Sequence, residues 1–140
     1  MRNVFVSYNF RDHASARSVK TFFQAQGGRC QGTPVFVEGD FTPLGDEAID
    51  QAIIRVIDGC VAVLFVIGND NHNSPWIDRE AELAISRNMS LVAVRLPETT
   101  GGLPNRLAGR SIPFVEWGHN ALCDALNAGG EQAQSKVRAP

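Results

Sequence analysis

The sequence predicts a single α/β domain in which helices cover both faces of a parallel β-sheet. Short apolar runs alternate with longer amphipathic segments, which is the pattern of repeated strand–helix units. The most apolar run, residues 60–68 (CVAVLFVIG), has no charged position and predicts a central strand that is buried on both faces. The length of 140 residues suits one core. We place this domain at residues 1–128 and expect a disordered tail at residues 129–140.

The first half of the chain supplies two strands and two helices before that central strand. A strand is predicted at residues 3–7 (NVFVS) and a helix at residues 12–26, where Asp12 suits the N-cap. The run TPVFVEG predicts a second strand at residues 33–39. A second helix is predicted at residues 45–58, because apolar residues recur there at helical spacing.

The second half continues the alternation. The polar loop at residues 69–74 (NDNHNS) leads into a third helix that starts with SPWIDREAELAI, where Pro suits the first helical position. Further strands are predicted at residues 90–96 (SLVAVRL) and 111–117 (SIPFVEW), and a short helix at residues 119–128. The loop at residues 97–110 is rich in Gly and Pro, and its role as a lid or as a plain connection stays open.

Right-handed crossovers favour the flavodoxin-like strand order 2-1-3-4-5 for such a doubly wound sheet. In these sheets ligands bind beyond the carboxyl ends of the strands, at the switch point between strands one and three. Three loops meet there in the predicted fold, namely SYNFRDH after strand one, EGDFTPLG after strand two and NDNHNSPW after strand three. We therefore expect a ligand site at this edge of the sheet.

Glu80 differs from the other charged residues of the third helix because it falls within the apolar arc. At about 100° per residue it lies one turn after Trp76 and one turn before Ala84, whereas Asp78 and Glu82 fall on the polar side. A carboxylate there is either held in a structural ion pair or partly desolvated at the edge of a cleft. The helix leaves the third loop, so Glu80 faces the predicted crevice, which favours the functional interpretation.

Composition and charge exclude several classes of partner. There are 13 Lys and Arg residues against 15 Asp and Glu residues, and no basic stripe favours a nucleic acid. No apolar run approaches the roughly 20 residues of a membrane span. The three cysteines and three histidines have no metal-ligand spacing, so we expect reduced thiols, no metal and a cytoplasmic location. No GxxxxGK[ST], GxGxxG or GxSxG motif occurs, which argues against a phosphate-binding loop, a dinucleotide-binding loop and a hydrolase triad built on a serine nucleophile.

The remaining motifs resemble those of TIR domains. They are VFVSYNFRD at the first strand, the apolar third strand ending in IG, and Trp76-x-x-x-Glu80. The tract VAVLFVIGNDNHNSPWIDREAELAISRNMSLVAVRL is most similar to bacterial TIR-like proteins of anti-phage defence, the ThsB component of Thoeris systems. The resemblance covers residues 3–96, whereas the loop after strand two is short and residues 96–140 carry no matching motif.

This resemblance implies an enzyme that takes NAD as its substrate and needs no cofactor. In catalytic TIR domains the Glu four residues after the Trp acts on the ribose beside nicotinamide, and that residue here is Glu80. The implied product is an ADP-ribose derivative, expected to be cyclic, that serves as a second messenger. The implied partners are further copies of the chain on activation, a separate messenger-sensing effector and a phage-derived trigger.

Seven further residues are candidates for substrate binding, and each has a structural alternative. Hydroxyl groups at a strand end can satisfy a turn, aromatic rings can belong to the core, and a polar loop can cap a helix. Phe5 alternates with valines and is predicted to be core, and Arg11 is a weaker candidate for contact with a pyrophosphate. The seven candidates are Ser7, Tyr8, Phe10, Asp40, Phe41, His72 and Trp76.

Two other functions stay open. A TIR-like scaffold would act only by association with other TIR surfaces, through the loop that holds Asp40 and Phe41. A relative of the nucleoside deoxyribosyltransferases would share the sheet and a Glu that attacks an anomeric carbon, but it would act on nucleosides and not on NAD.

Overall fold

A computed structural model describes seven parts of the chain. They are residues 3–8, 17–19, 21, 33–37, 44–69, 75–118 and 122–127. The predicted tail at residues 129–140 lies outside these ranges.

The described strands form one parallel five-stranded sheet with the order β2-β1-β3-β4-β5, as the crossover rule predicts. Every neighbouring pair of strands is parallel. The strands are β1 (Asn3–Tyr8), β2 (Thr33–Val35), β3 (Ala62–Ile67), β4 (Ser90–Arg95) and β5 (Phe114–Glu116).

The central strand β3 explains why the core divides into two layers. All six of its residues are buried, because it pairs with β1 on one side and β4 on the other while helices cover both faces. Alternate side chains along β3 and its neighbours enter opposite layers. One layer lies under helix α2 (Pro75–Ser86) and is called the α2 layer; it contains Phe5, Ile53, Ile57, Val63, Phe65, Ile67, Ile77, Ala81, Leu83, Ala84, Ala93 and Leu107. The opposite layer contains Val4, Val6, Val19, Ala62, Leu64, Val66, Val92, Val94, Leu96, Leu122, Cys123 and Leu126.

Two long helices supply one cover of the sheet. They are α1 (Asp46–Ile57) and α2 (Pro75–Ser86), and both bury apolar side chains in the α2 layer. Residues 17–19, 21 and 122–127 are also helical, and their buried side chains belong to the opposite layer. Helices therefore lie on both faces, as predicted. No helix of the described ranges is long and apolar enough to cross a membrane.

The two edge strands are shorter than predicted. The second strand was expected at residues 33–39 but its ladder ends at Val35, although Phe36 and Val37 still pack against the core. The fifth was expected at residues 111–117 and spans Phe114–Glu116. An edge strand has only one neighbour to hold it. Before β5, the carbonyl of Pro113 accepts a hydrogen bond from the Ala93 N–H, but Pro113 has no N–H to donate to a ladder. The loop at residues 97–110 also contains an unpredicted 3-10 turn at Asn105–Leu107.

Candidate functional site

Glu80 occupies the position on α2 that the helical spacing predicts. The helix begins at Pro75, as expected, and its buried residues are Ile77, Glu80, Ala81, Leu83 and Ala84. Glu80 is only 8% exposed, although a glutamate with the ordinary pKa is ionised at neutral pH. A carboxyl is thus enclosed among apolar side chains, which is costly for its ionised form.

The side chain of Ser7 faces the same layer as Glu80. Helix α2 contacts strand β1, and residues along that strand alternate between the two layers. Phe5 belongs to the α2 layer, so Ser7 lies on that face two positions further toward the carboxyl end of the strand. Ser7 is 1% exposed. The structure therefore brings together the predicted catalytic residue and one of the predicted substrate-binding residues.

Both residues hold polar oxygens without partners. Ser7 Oγ and Glu80 Oε2 are buried and have no hydrogen-bond partner within the described part of the chain. Buried polar atoms in folded proteins are nearly always satisfied, and exceptions concentrate at functional sites. A pair of adjacent exceptions at the carboxyl end of β1 marks this region as a place where a ligand's polar groups would find partners.

Burial raises the pKa of the Glu80 carboxyl from its usual 4.5 to about 8. The nearby Ser7 hydroxyl pulls this pKa down, but to a lesser extent. Ser7 Oγ makes no hydrogen bond of normal geometry, so the hydroxyl acts on Glu80 as a neighbouring dipole. Glu80 is therefore mostly protonated at neutral pH when no ligand is present.

The ion-pair interpretation of Glu80 receives no support in the described residues. The ion pairs found there join other groups, and none involves Glu80. The causes that set its pKa are burial and Ser7, with no neighbouring cation among them.

The polar side of α2 carries the ion pairs instead. Arg79 binds Asp50 of α1 at 2.6 Å and Glu82 at 2.8 Å, and its side chain holds the pKa of Asp50 below its usual value. Glu82 also pairs with Arg106 at 3.3 Å. Asp78 accepts a bond from the backbone N–H of Arg106 at 3.1 Å. Asp78 and Glu82 thus lie on the polar side as predicted, where they are engaged with neighbouring groups.

Trp76 and Tyr8 occupy different faces of the sheet. Trp76 is partly buried and packs against the α2 layer, near Glu80 in sequence and on the same side. Tyr8 packs against the opposite layer, with its ring edge-on to Phe36 at a centroid distance of 6.0 Å. The alternation of side chains along β1 separates Tyr8 from Ser7, so these two neighbouring candidates do not face the same surface. Phe5 is 1% exposed and is core, as predicted.

The other candidates lie outside the described residues. These are Phe10, Asp40, Phe41 and His72, together with the secondary candidate Arg11. Their assignment to substrate binding stays a prediction.

The contact of the loop after β4 with the end of β3 was not predicted from the sequence. The backbone N–H of Thr100 donates to Asn69 Oδ1 at 3.0 Å, and Gly101 lies directly against Gly68. The Gly-Gly pair at residues 101 and 102 could have indicated this contact, since glycine permits two backbone segments to approach closely.

The arrangement offers the chemistry of one buried carboxyl beside a hydroxyl. No group of three or more metal-ligating side chains occurs in the described ranges. A lone carboxyl in apolar surroundings can stabilise positive charge that develops next to it, and can accept hydrogen bonds from sugar hydroxyls once it is ionised.

Comparisons with known proteins agree with this fold. A family model described as "TIR domain" matches residues 4–128. No curated protein matches the sequence. In structure, 15 solved chains match. One is the TIR domain of the Toll-related receptor TRR-2 from the lower metazoan Hydra magnipapillata, with a TM-score of 0.59 and 14% identity over 99% of this chain and 100% of that one. At this identity the likeness shows the fold alone.

Proposed function

Because the chain belongs to the TIR domain family, we propose that it cleaves the nicotinamide–ribose bond of NAD, with Glu80 as the catalytic residue. The observation that supports this most directly is the buried Glu80 carboxyl, which has an oxygen without a partner and lies beside Ser7 near the carboxyl end of β1. The family alone leaves the activity open, since TIR domains also act as scaffolds. A desolvated carboxyl at the ligand-binding edge of the sheet favours the enzyme.

The proposed step breaks the bond between the anomeric carbon and the pyridinium nitrogen. The bonding electron pair leaves with nicotinamide, which becomes neutral, and positive charge develops on the ribose. The Glu80 carboxylate stabilises that charge, or forms a transient covalent bond to the anomeric carbon that the incoming nucleophile then displaces. Water then adds with loss of a proton to give ADP-ribose, or an internal nucleophile of the same molecule closes a cyclic product.

The protonation state of Glu80 is part of this proposal. A pKa of about 8 keeps the free carboxyl mostly neutral at pH 7, whereas the reaction uses the carboxylate. The nicotinamide ring of NAD is cationic, and a positive charge nearby favours the ionised form of a carboxyl. Substrate binding would therefore release a proton from Glu80 and activate it only when NAD is in place.

Substrate contacts are proposed for Ser7 and Trp76, which share the side of Glu80. Ser7 would donate to a ribose or phosphate oxygen, and Trp76 would wall the pocket. The same role for Tyr8, Phe10, Asp40, Phe41 and His72 derives from the predicted edge loops and the family resemblance.

We further propose that the product is a cyclic ADP-ribose derivative that acts as a second messenger in bacterial anti-phage defence. It would be made in the cytoplasm by an assembly of copies after a phage-derived trigger, and it would activate a separate effector. The support for this setting is the resemblance of the tract VAVLFVIGNDNHNSPWIDREAELAISRNMSLVAVRL to ThsB-like proteins.

The test is nicotinamide release from NAD by concentrated purified protein, followed by chromatography, with the product identified by mass. Glu80→Gln should lower turnover by about 10²–10³-fold, as the loss of a charge-stabilising group does elsewhere. Glu82→Gln is the matched control, because it changes a carboxyl on the same helix that faces the polar side. Equal loss in both variants would contradict the role of Glu80. Absence of turnover from wild-type protein that has been forced to assemble, and also from lysate of infected cells, would overturn catalysis.

A scaffold function has one specific observation in its favour. Leu44 is 70% exposed where the loop after the second strand enters α1, close to the surface that the family resemblance assigns to self-association. This alternative predicts that Glu80→Gln is harmless to function in cells, while Leu44→Ser abolishes it. Incubation with nucleosides in place of NAD tests the deoxyribosyltransferase alternative, which predicts base exchange.

A further inference from the structure

We infer that residues 96–107 form a fixed clamp that positions Glu80, by holding both ends of the connection between β3 and α2. The clamp is defined by its contacts with Gly68 and Asn69 at one end and with α2 at the other. Its effect on turnover rests on the proposed function, whereas its effect on the surroundings of Glu80 does not.

At the first end, the clamp lies directly on the backbone that leaves β3. A Cβ atom on Gly101 would overlap the carbonyl oxygen of Gly68 and would lie 3.1 Å from the Cα of Asn69. No side chain tolerates such an overlap with a backbone atom, so only glycine fits at residue 101 without displacement. The close approach fixes where the chain leaves the sheet.

Polar contacts tie the same point. The N–H of Leu96 donates to the carbonyl of Ile67 at 2.9 Å, and the N–H of Thr100 donates to Asn69 Oδ1 at 3.0 Å. The Thr99 hydroxyl donates to the Leu96 carbonyl at 2.7 Å, with the Ile67 carbonyl at 3.4 Å. These contacts hold the clamp to the last residues of β3 and the first residues of the following loop.

The base of the clamp is anchored by Arg95. Its guanidinium donates to the Gly101 carbonyl at 3.3 Å, pairs with Glu116 at 2.7 Å and lies 4.7 Å from the centre of the Phe114 ring. The segment is thereby joined to β5 as well as to β3.

At the second end, the clamp contacts α2 at Asp78 and Glu82, which lie on either side of Glu80 in the sequence. The backbone N–H of Arg106 donates to Asp78 Oδ1 at 3.1 Å, and the Arg106 side chain pairs with Glu82 at 3.3 Å. Leu107 is fully buried in the α2 layer. One continuous segment therefore bridges the exit of β3 and the first turns of α2, between which the chain runs to Glu80.

These contacts decide whether the loop at residues 97–110 can act as a lid. A lid must move away from the site, but a segment with a fully buried Leu107 and a glycine pressed against the sheet is held in place. The loop at residues 97–110 thus acts as a support of the site and not as its cover.

The experiment compares Gly101→Ala with Gly102→Ala. Gly102 is the matched control because a Cβ there meets no atom within 4 Å. We expect Gly101→Ala to displace the start of α2 and admit water to Glu80, which lowers the pKa of this carboxyl toward its ordinary value, as followed by carboxyl-carbon NMR titration. We also expect kcat to fall about 10–100-fold with little change in KM, since small displacements of a catalytic group cost this much. Gly102→Ala should match the wild type in both readouts.

Identical Glu80 titration and kcat in the two glycine variants would overturn the inference. If Gly101→Ala does not fold, Thr99→Val decides, since it removes one hydroxyl and keeps the shape of the side chain. It should shift the Glu80 titration in the same direction by a smaller amount, and no shift would overturn the inference. If the wild type does not turn over NAD, the proposed function fails, but the titration still tests the clamp.

Discussion

Glu80 and Glu82 are the same residue type on one helix, yet their surroundings are opposite. Glu80 is 8% exposed, has an oxygen without a partner in the described residues, and has a pKa raised to about 8. The Glu82 side chain is 45% exposed and pairs with both Arg79 and Arg106. Two positions along a helix turn a side chain by about 200°, from the core side to the polar side.

Among the described residues, Arg79 and Arg106 pair with carboxylates on the polar side of α2, and neither pairs with Glu80. Arg79 precedes Glu80 in the chain but joins α1 to α2 through Asp50. Glu80 is left in an environment that favours its neutral form, and this property can be measured without any substrate. The contrast between the two carboxyls is tested by substitutions at Glu80, Ser7, Asp50 and Glu82, in order of decreasing effect.

The largest effect is expected in Glu80→Gln as a function of pH. The folded pKa of Glu80 is about 8 and its ordinary pKa is 4.5, so between these values the unfolded chain releases a proton that the folded protein retains. Stability of the wild type therefore falls as pH rises through this window, by up to about 5 kcal/mol at 1.36 kcal/mol per unit. The amide of Gln cannot ionise, so the variant should equal the wild type near pH 4.5 and exceed it above pH 8. Urea unfolding across this range measures the difference, and parallel pH curves would contradict the raised pKa.

Ser7→Ala should have the next largest effect. The hydroxyl lowers the pKa of Glu80, so its removal should raise that pKa further and reduce the carboxylate fraction. The acidic limb of kcat/KM should move to higher pH, with a loss on the order of threefold at pH 7. Ser86→Ala, at the exposed end of α2, is the control. A loss that is independent of pH would show that Ser7 acts only through its proposed contact with the substrate and not through the pKa of Glu80.

Asp50→Asn should destabilise the protein by less than about 1 kcal/mol, since the partners of this ion pair are partly exposed. The effect should shrink in high salt, because screening weakens exposed pairs. The Glu80 titration should not move, as Arg79 does not act on it. A shifted titration would show that α1 is coupled to Glu80 through Arg79.

Glu82→Gln should have the smallest effect, about 0.5 kcal/mol or less, because Arg79 keeps its bond to Asp50 and both side chains reach water. Thermal unfolding measures it at neutral pH. A loss of more than about 1 kcal/mol would contradict the assignment of Glu82 to a partly exposed ion pair.

The sequence predicted well those features that repeat at short range. The burial of Glu80 follows from helical spacing, and the buried strand β3 follows from an unbroken apolar run. The strand order follows from the handedness of crossovers. The placement of Tyr8 and Ser7 on opposite faces of the sheet could also have been predicted, since successive side chains of a strand alternate between faces.

Contacts between distant segments could not be predicted in this way. Asp50 and Arg79 are 29 residues apart, and their pairing depends on how two helices are registered on the sheet. The approach of Gly101 to Gly68 depends on how two loops distant in sequence pack against each other. β2 ends at Val35 although Phe36 and Val37 continue the apolar run. Its length is therefore not set by composition, and we attribute the early end to the single neighbour of an edge strand.

The shortness of both edge strands has a consequence for how copies of this chain can meet. β2 and β5 each contribute three residues, and Pro34 in β2 has no N–H to offer a neighbour. Short, proline-containing edges are poor templates for an added strand. A continuous intermolecular sheet is therefore disfavoured, and any filament or ring of this protein should be built from helix and loop surfaces. Copies joined in this way can dissociate without breaking a ladder of backbone hydrogen bonds.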